Sequence, residues 1–292
     1  MIPAVFDYVA PKTLDDALRA LAARGEDAKI LAGGHSLLPL MKLRLANPKV
    51  LVDLRKIPGL AGVKQEGNKL VIGALTTHYQ IESSALSWKK CPLLNETARL
   101  IGDVQVRNRG TIGGSLTHAD PAADWPAAIL ALAAELKLAG PKGERTIGAE
   151  EFFLGPMTTV TEATEILTEV RVPVFSTRCG SAYLKMAQQA SGFAIVGAAV
   201  WLRLSPKGGC EEIGIGITGL SEKPFRAHAV EQRLRGNKLT AKLIEEASSL
   251  VAEGSDPLED LHASADYRAH LARVYTRRAI QEAAKRAVGR NR

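Results

Sequence analysis

Cysteine is scarce in this sequence of 292 residues, and its three copies, Cys91, Cys179 and Cys210, stand far apart. This spacing excludes a disulfide framework and any CxxC motif for a metal or a cluster. The histidines lack a ligand spacing such as HxxxH, so no metal site is predicted. No apolar run reaches the roughly 18–20 residues of a transmembrane helix. The first residues lack the features of a secretory signal, so we expect a cytoplasmic protein, free or at the inner face of the membrane.

Acidic side chains are nearly absent from the last part of the sequence. Residues 268–292 contain eight basic side chains and one acidic side chain, which accounts for the entire net charge of +7. Apolar residues at helical spacing follow Ser264, a suitable capping residue, so we predict a helix with a basic face. That face meets solvent or contacts a partner subunit. Nucleic-acid binding is not expected, because no aromatic-rich groove accompanies the charge.

Helical and strand patterns are mixed along the chain without strict alternation, which favours an α+β fold over a doubly wound sheet. A first helix over residues 13–24 starts with a capping-box pattern at Thr13 and Asp16 and ends before Gly25. Gly67-Asn68 predicts a hairpin turn between two strands. Further strands are predicted at residues 29–31, 50–54, 136–139, 166–172, 183–187, 194–204 and 212–220, and further helices at 93–101, 125–135, 227–234 and 240–252.

Two Gly-Gly segments about 80 residues apart carry the sharpest chemical signal; they are Ala32-Gly33-Gly34-His35-Ser36 and Thr111-Ile112-Gly113-Gly114-Ser115. A glycine pair lets the backbone approach a ligand closely and reach positive φ. Consecutive N–H groups in such a turn form a nest for phosphate oxygens, and the serine hydroxyls add donors. Two nests suit a diphosphate. Either segment alone is also typical of an ordinary tight turn.

A third glycine pattern, residues 214–219, fits the G-x-G-x-x-G consensus of dinucleotide-binding proteins. Its context is wrong for that function, because the fingerprint must follow a strand and open a helix. Ile213, Ile215 and Ile217 alternate with the glycines, which predicts that the glycines lie inside a strand. We therefore do not predict a Rossmann site here.

The two Gly-Gly segments and their flanks resemble the FAD-binding medium subunits of the molybdenum hydroxylases. The first continues through Leu37 to Arg44, and the second lies between Arg109-Gly110 and the stretch from His118 to Asp124. The similarity covers essentially the whole chain, including residues 191–197. The family includes the medium subunit of carbon monoxide dehydrogenase and the flavin domain of xanthine dehydrogenase.

The resemblance implies an α+β fold with two domains. The first, over residues 1–176, is a two-part FAD-binding domain of the PCMH type shared with vanillyl-alcohol oxidase, with subdomains of about 1–57 and 58–176. The second, over residues 177–292, is a C-terminal domain like that of carbon monoxide dehydrogenase flavoproteins, with a small antiparallel sheet and helices. A loop near residues 173–180 agrees with this boundary.

The resemblance also implies which residues bind FAD. The diphosphate would be held by Ala32, Gly33, Gly34, His35 and Ser36 and by Thr111, Gly113, Gly114 and Ser115, and Leu37 is also expected to bind the cofactor. Ile101 and Leu167 match apolar contacts to the flavin, and Phe193 is expected to pack on its ring, where some relatives carry an acid. Lys185 matches a lysine near the ring that would raise the flavin potential, unless it is a surface strand lysine. Asp124 is expected to order flavin-side hydroxyls or the loop, and its position also suits the N-cap of the next helix.

His35 leaves two alternatives open, because a Gly-Gly-His-Ser segment also occurs in oxidases that attach FAD covalently through the histidine. The rest of the chain resembles subunits in which FAD is not covalent. We therefore predict non-covalent FAD and a His35 that stabilises its own loop.

The basic C-terminal segment is not expected to bind the cofactor. Removing Arg290 and Arg292 should leave the flavin content unchanged.

The implied function is electron transfer in a larger enzyme, with no catalytic residue in this chain. Substrate would be oxidised at a molybdenum cofactor in a large partner subunit, and electrons would pass through the [2Fe–2S] clusters of a small partner subunit to FAD and then to an external acceptor. A dimer of heterotrimers is expected. The alternatives are a stand-alone FAD-dependent oxidase or reductase of the same fold, and a non-enzymatic FAD-binding assembly factor. Carbon monoxide, an aldehyde, a purine and other N-heterocycles all remain open as substrates.

Overall fold

A computed structural model describes residues 2–289 of the chain, and within these residues three larger β-sheets and one two-stranded sheet are found. The first sheet is parallel, with the strand order β1-β3-β2. Its elements are β1 (Asp7–Val9), α1 (Leu14–Arg24), β2 (Ala28–Leu31), α2 (Leu37–Lys42) and β3 (Val50–Asp53). The predicted cap of α1 is confirmed, since the Thr13 side chain accepts a hydrogen bond from the Asp16 N–H. Ala17 and Leu21 of this helix are fully buried in the core of this part.

The second sheet is antiparallel, with the order β4-β5-β10-β6-β7. The predicted hairpin at Gly67 is confirmed between its first two strands. In chain order, this part of the protein contains β4 (Val63–Glu66), β5 (Lys69–Gly73), α3 (His78–Glu82), α4 (Ala85–Lys90), α5 (Pro92–Arg99), α6 (Val104–Arg109), α7 (Ile112–His118), α8 (Asp124–Ala131), β6 (Glu135–Gly140), β7 (Gly143–Gly148), α9 (Ala149–Phe152), β8 (Phe153–Gly155), β9 (Thr158–Thr159) and β10 (Ile166–Pro173). Strands β8 and β9 pair only with each other and form the separate two-stranded sheet.

The third sheet is also antiparallel, in the order β11-β12-β13-β14, and helices follow it. Its elements are β11 (Cys179–Ala187), β12 (Ala194–Leu204), β13 (Cys210–Thr218), β14 (Phe225–Arg226), α10 (His228–Leu234), α11 (Ala241–Ser249) and α12 (Ala265–Gly289). Short 3₁₀ turns occur at Gly25–Asp27, Leu54–Lys56 and Leu250–Ala252. This mixture of helices with parallel and antiparallel sheets confirms the predicted α+β class.

Helix α8 joins the second sheet to the third, and all eight of its residues are buried. Its backbone lies directly on β13, because a Cβ atom added at Gly214 would lie 2.0 Å from the Ala131 carbonyl oxygen, and one at Gly216 equally close to that of Ala127. The prediction that the glycines of residues 214–219 lie in a strand is confirmed for Gly214 and Gly216. These two glycines allow α8 to pack closely against the third sheet.

The predicted basic helix is α12, and it packs on β11 mainly through small residues. Ala272, Ala279, Ala283 and Ala287 are fully buried, and a Cβ atom at Gly180 would collide with the Ala283 carbonyl oxygen. The basic face is exposed at Arg273, Arg278 and Lys285.

Arg268 departs from the predicted solvated face, because it is buried. Its guanidinium donates hydrogen bonds to the carbonyl oxygens of Ile195 and Gly219 and pairs with Asp260 at 2.6 Å. Arg290 and Arg292 lie outside the described residues. Within residues 2–289, no helix has the length and apolar character needed to cross a membrane, and no group of three or more metal-ligating side chains is found.

Candidate functional site

A cleft of about 700 Å³ lies between the first two sheets and the turn that precedes β12. Its lining includes every residue predicted to bind the cofactor except Lys185: Ala32, Gly33, Gly34, His35, Ser36, Leu37, Ile101, Thr111, Gly113, Gly114, Ser115, Asp124, Leu167 and Phe193. Residues far apart in the sequence therefore meet in one cavity. Its size is within the range of pockets that hold small molecules and cofactors.

The first Gly-Gly segment connects β2 to α2 and has unpaired backbone donors. Gly34 has a φ of +78°, a conformation that favours glycine. Among residues 2–289, none accepts a hydrogen bond from the N–H groups of Gly34, His35 or Ser36. These residues are half-buried or exposed along the cleft, so their N–H groups are free to donate to a ligand with acceptor oxygens.

Gly33 has a packing role in addition to the ligand-binding role that its pattern predicts. A Cβ atom at this position would lie 2.2 Å from the Arg109 carbonyl oxygen and 2.9 Å from the Gly110 Cα atom. The glycine therefore allows the first Gly-Gly segment to touch Arg109 and Gly110, which directly precede the second; each segment with these flanking residues is called a Gly-Gly region below. His35 also acts within the segment, since its Nδ1 atom lies 3.2 Å from the Gly33 carbonyl oxygen.

The second Gly-Gly segment is the first turn of helix α7, capped by Thr111. The N–H groups of Ile112, Gly113 and Gly114 donate to the Thr76 carbonyl oxygen, the Ala74 carbonyl oxygen and the Thr111 hydroxyl oxygen at 3.1, 2.8 and 3.2 Å. The prediction of a second N–H nest is therefore wrong, because these donors are occupied within the chain. The segment instead offers the cleft its Thr111 and Ser115 hydroxyl groups.

Lys185 lies behind the cleft wall in a buried cluster. Its ammonium nitrogen is 2.9 Å from the Asp124 carboxylate, 2.8 Å from the Leu100 carbonyl oxygen and 2.5 Å from the Gly192 carbonyl oxygen. Both side chains of the ion pair are 4% exposed. The alternative of a surface lysine is wrong, and so is the N-cap role for Asp124, because Ala123 occupies the N-cap. Lys185 thus ties β11 to α8 and to two turns that border the cleft.

Tyr183 completes this cluster, since its hydroxyl group donates to the Asp124 carboxylate. Burial raises the pKa of Asp124 above its usual value, and the nearby Lys185 charge opposes that effect. Burial and the Asp124 charge also raise the pKa of Tyr183 well above its usual value. A protonated tyrosine and a lysine therefore share one buried carboxylate.

Comparison with known proteins agrees with this site. A family model described as "FAD binding domain in molybdopterin dehydrogenase" matches residues 4–175, and one for the "CO dehydrogenase flavoprotein C-terminal domain" matches residues 181–283. This chain is a FAD-binding medium subunit of the molybdenum hydroxylase family. It is part of an oxidoreductase, and its cofactor is FAD.

The relatives of this medium subunit match it over nearly its full length. The carbon monoxide dehydrogenase medium chain of Hydrogenophaga pseudoflava is 42% identical over 283 residues, which cover 97% of this chain and 98% of that chain. The glyceraldehyde dehydrogenase medium chain of Sulfolobus acidocaldarius is 38% identical and covers 97% of this chain and 100% of its own. A solved structure of carbon monoxide dehydrogenase from H. pseudoflava has a TM-score of 0.95 at 43% identity and covers 98% of this chain and 99% of that chain.

The donor set of the cleft fits FAD in this medium subunit. The unpaired N–H groups of the first segment and the hydroxyl groups of Ser36, Thr111 and Ser115 suit diphosphate oxygens. Ile101, Leu167 and Phe193 add apolar lining of the kind that a flat ring requires. Phe193 is 46% exposed at the rim of the cleft.

Sequence reasoning missed His78, a second histidine in the cleft lining. It occupies the first position of α3, directly after the Thr77 capping box. The box is visible in the sequence as Thr77 followed by Gln80, and it predicts a short helix at this point. The burial of the histidine ring depends on distant residues, and the local sequence does not reveal it.

Proposed function

We propose that this chain is the electron-transfer subunit of its complex. Electrons would enter from the [2Fe–2S] clusters of a small partner subunit and leave to an external acceptor, while substrate is oxidised at the molybdenum cofactor of a large partner subunit. When bound, FAD supplies the redox chemistry, because it accepts electrons singly and releases them as a pair. The expected assembly is a dimer of heterotrimers in the cytoplasm, and the expected domain boundary falls between residues 176 and 177.

The cleft is the observation that carries this proposal. The Ala32–Ser36 segment would hold the diphosphate through its unpaired N–H groups, with hydroxyl donors from Thr111 and Ser115. Ile101, Leu167 and Phe193 would contact the flavin ring. Relatives of similar identity are named for substrates as unlike as carbon monoxide and glyceraldehyde. Substrate selection is therefore expected to reside in another subunit.

The rim of the cleft supports docking of the iron–sulfur subunit at this end of the molecule. Leu100 is 41% exposed, Val104 58% and Phe193 46%, and all three are large apolar side chains. Leu100 and the turn that contains Phe193 are neighbours, since the Leu100 and Gly192 carbonyl oxygens bind the same Lys185 ammonium group. Val104 follows Gly102, which Gly192 approaches closely. Apolar groups that cluster on a surface commonly mark a contact with another protein.

The test uses the whole complex, produced with its partner subunits. Substrate should bleach the visible absorption of the clusters and then that of the flavin, and the FAD-loaded chain alone should oxidise no substrate. Val104→Asp should slow flavin reduction about tenfold or more, because a charge disfavours docking, while cluster reduction keeps its rate. Leu261→Asp, at a side chain that is 90% exposed, is the control. Turnover by the isolated chain would favour the stand-alone oxidase instead.

Non-covalent attachment is tested by acid precipitation. The Nδ1 atom of His35 already contacts the Gly33 carbonyl oxygen, which supports a role within the loop. All flavin should therefore appear in the supernatant after denaturation. Flavin that stays on the precipitated chain would show a covalent bond and overturn this part of the proposal.

A further inference from the structure

His78 is a buried histidine between the two Gly-Gly regions. Its side chain lines the cleft, and the residue is 4% exposed. Its backbone N–H donates to the Gly110 carbonyl oxygen at 2.9 Å, and neighbouring Thr77 and Thr111 form a β-bridge. The position of the imidazole is therefore fixed relative to the second Gly-Gly region.

A tryptophan fixes the tautomer of the His78 ring. The Trp125 Nε1–H group donates to His78 Nδ1 at 3.0 Å, deep in the core. An indole nitrogen is only a donor, so Nδ1 must carry no proton while this bond is present. The neutral ring then has its proton on Nε2. Within residues 2–289, no hydrogen bond to Nε2 is found.

The free edge of the ring faces the contact between the two Gly-Gly regions. A Cβ atom placed on Gly110 would lie 2.7 Å from His78 Nε2, and one placed on Gly33 would lie 2.9 Å from the Gly110 Cα atom. The glycine at position 110 therefore leaves room for the imidazole edge. The Nε2–H group therefore lies beside Gly110, the residue that Gly33 of the first segment also approaches.

The His78 ring is an uncharged hydrogen-bond donor at this place. Burial first of all, and then electrostatic repulsion from His35 and Arg107, lowers the pKa of His78 to about 3, so the ring is neutral at physiological pH. Arg107 itself is paired with Glu82 at 2.8 Å. Asp120, Asp124, Glu162 and Glu165 also line the cleft, but none of them forms an ion pair or hydrogen bond with His78.

We propose that His78 is a ligand of FAD, with its Nε2–H group donating a hydrogen bond to a diphosphate oxygen. The inference rests on the FAD site described above and adds a side-chain donor to the backbone donors of the first segment. A hydrogen bond to a charged group of this kind corresponds to about tenfold to hundredfold in affinity. Trp125 acts through His78, because it keeps Nδ1 free of a proton and Nε2 protonated.

Two substitutions of His78 test the acceptor role of Nδ1 and the donor role of Nε2 separately. In His78→Asn the amide oxygen can replace Nδ1 as the acceptor for Trp125, but no donor remains at the Nε2 position. In His78→Gln the longer amide places an N–H donor near the Nε2 position. The FAD-free forms of both variants and of the wild type are titrated with FAD, ADP and riboflavin, and thermal unfolding checks that each variant is folded.

The expected result for His78→Asn is a loss of affinity that is confined to ligands containing the diphosphate. His78→Asn should bind FAD and ADP about tenfold to hundredfold more weakly. Its riboflavin affinity should equal that of the wild type, and His78→Gln should recover most of the loss. Equal FAD affinity in wild type and His78→Asn would overturn the role of His78. Failure of the wild type to bind FAD would instead overturn the FAD site itself.

A measurement on the unmodified protein covers the case in which a variant does not fold. In wild type with ¹⁵N-labelled histidine, the His78 resonances should report a neutral ring with the proton on Nε2. Addition of ADP should shift the Nε2 resonance and leave Nδ1 without a proton. An Nε2 resonance that does not respond to saturating ADP would contradict the proposed contact.

Discussion

Because Gly33 has no side chain, its backbone can contact Arg109 and Gly110 across the cleft. A methyl group there would lie 2.2 Å from the Arg109 carbonyl oxygen, a backbone atom that cannot rotate away. We expect Gly33→Ala to push the regions apart and to destabilise the fold by about 1–3 kcal/mol. FAD affinity should fall together with stability. Urea unfolding and FAD titration check both effects.

The control for this substitution is Gly148→Ala. Gly148 has a φ of −68°, and no atom lies within 4 Å of an added Cβ atom. Gly148 is the N-cap of α9, so this variant should lose at most about 1 kcal/mol through a weaker cap, and it should keep the FAD affinity of the wild type. Equal behaviour of the two variants would mean that the contact between Gly33 and Arg109 does not determine the shape of the cleft.

Lys185 provides a prediction that depends on pH. Because burial raises the folded-state pKa of Asp124, its stabilising contribution is fully present below the unfolded pKa and is lost as the pH rises through the folded pKa. Lys185→Met removes the opposing charge and raises that pKa further. We expect the variant to lose about 3–5 kcal/mol at neutral pH, with a smaller loss in acid. Urea unfolding at roughly pH 5 and pH 8 measures the difference.

A second substitution identifies the cause of that pH dependence. In Lys185→Met combined with Asp124→Asn, neither charge of the buried pair remains. The stability deficit relative to wild type should then be nearly the same at both pH values. A deficit that still grows with pH would show that another group, not Asp124, is responsible.

At the scale of elements, helix α8 packs closely on strand β13 because the strand has glycines at the contact. A Cβ atom at Gly214 would lie 2.0 Å from the Ala131 carbonyl oxygen and 2.5 Å from Trp201 Nε1. Gly214→Ala should therefore displace α8 and lower stability by about 1–3 kcal/mol, measured by thermal unfolding. Gly209→Ala is the matched control, because its added Cβ atom would have no neighbour nearer than 3.5 Å. Equal melting temperatures for the two variants would contradict this account of the packing.

The elements that could be predicted are those with local signals. Thr13 and Asp16 cap α1 by themselves, and the alternation of Ile213, Ile215 and Ile217 reveals β13. Helix α7 could not be predicted in this way, because Gly113-Gly114 is a turn signal by local rules. Its first N–H groups are satisfied by carbonyl oxygens near residues 74–76, and this distant contact makes the helix.

The candidate site was predictable in its membership and less so in the roles of its residues. The Gly-Gly pattern identified residues that meet in the cleft, although the sequence could not reveal which N–H groups remain unpaired. Lys185 is buried by Asp124, Leu100 and Gly192, of which only Gly192 is near it in sequence. The residues next to Lys185 in the sequence therefore do not predict that it is buried.

At the scale of the whole molecule, the residues that carry the net positive charge and those that line the cleft are separate in the sequence. The net charge of +7 resides in residues 268–292, and the cleft lining lies between residues 21 and 193. A variant that lacks Arg290, Asn291 and Arg292 should therefore keep its flavin content, measured as bound flavin per chain after gel filtration. A large loss of flavin would show that this segment takes part in holding the cofactor.

Helix α12 has a consequence for the order of events on the ribosome. Strands β11 to β13 leave the ribosome before α12 is synthesised, yet Ala279, Ile280 and Ala283 of that helix cover part of their apolar face. Residues 2–173, which contain most of the cleft, can fold first, since domains generally form in the order of translation. Until α12 is synthesised, the third sheet therefore exposes this apolar face to solvent. We expect the nascent chain to bind chaperones most strongly during that interval.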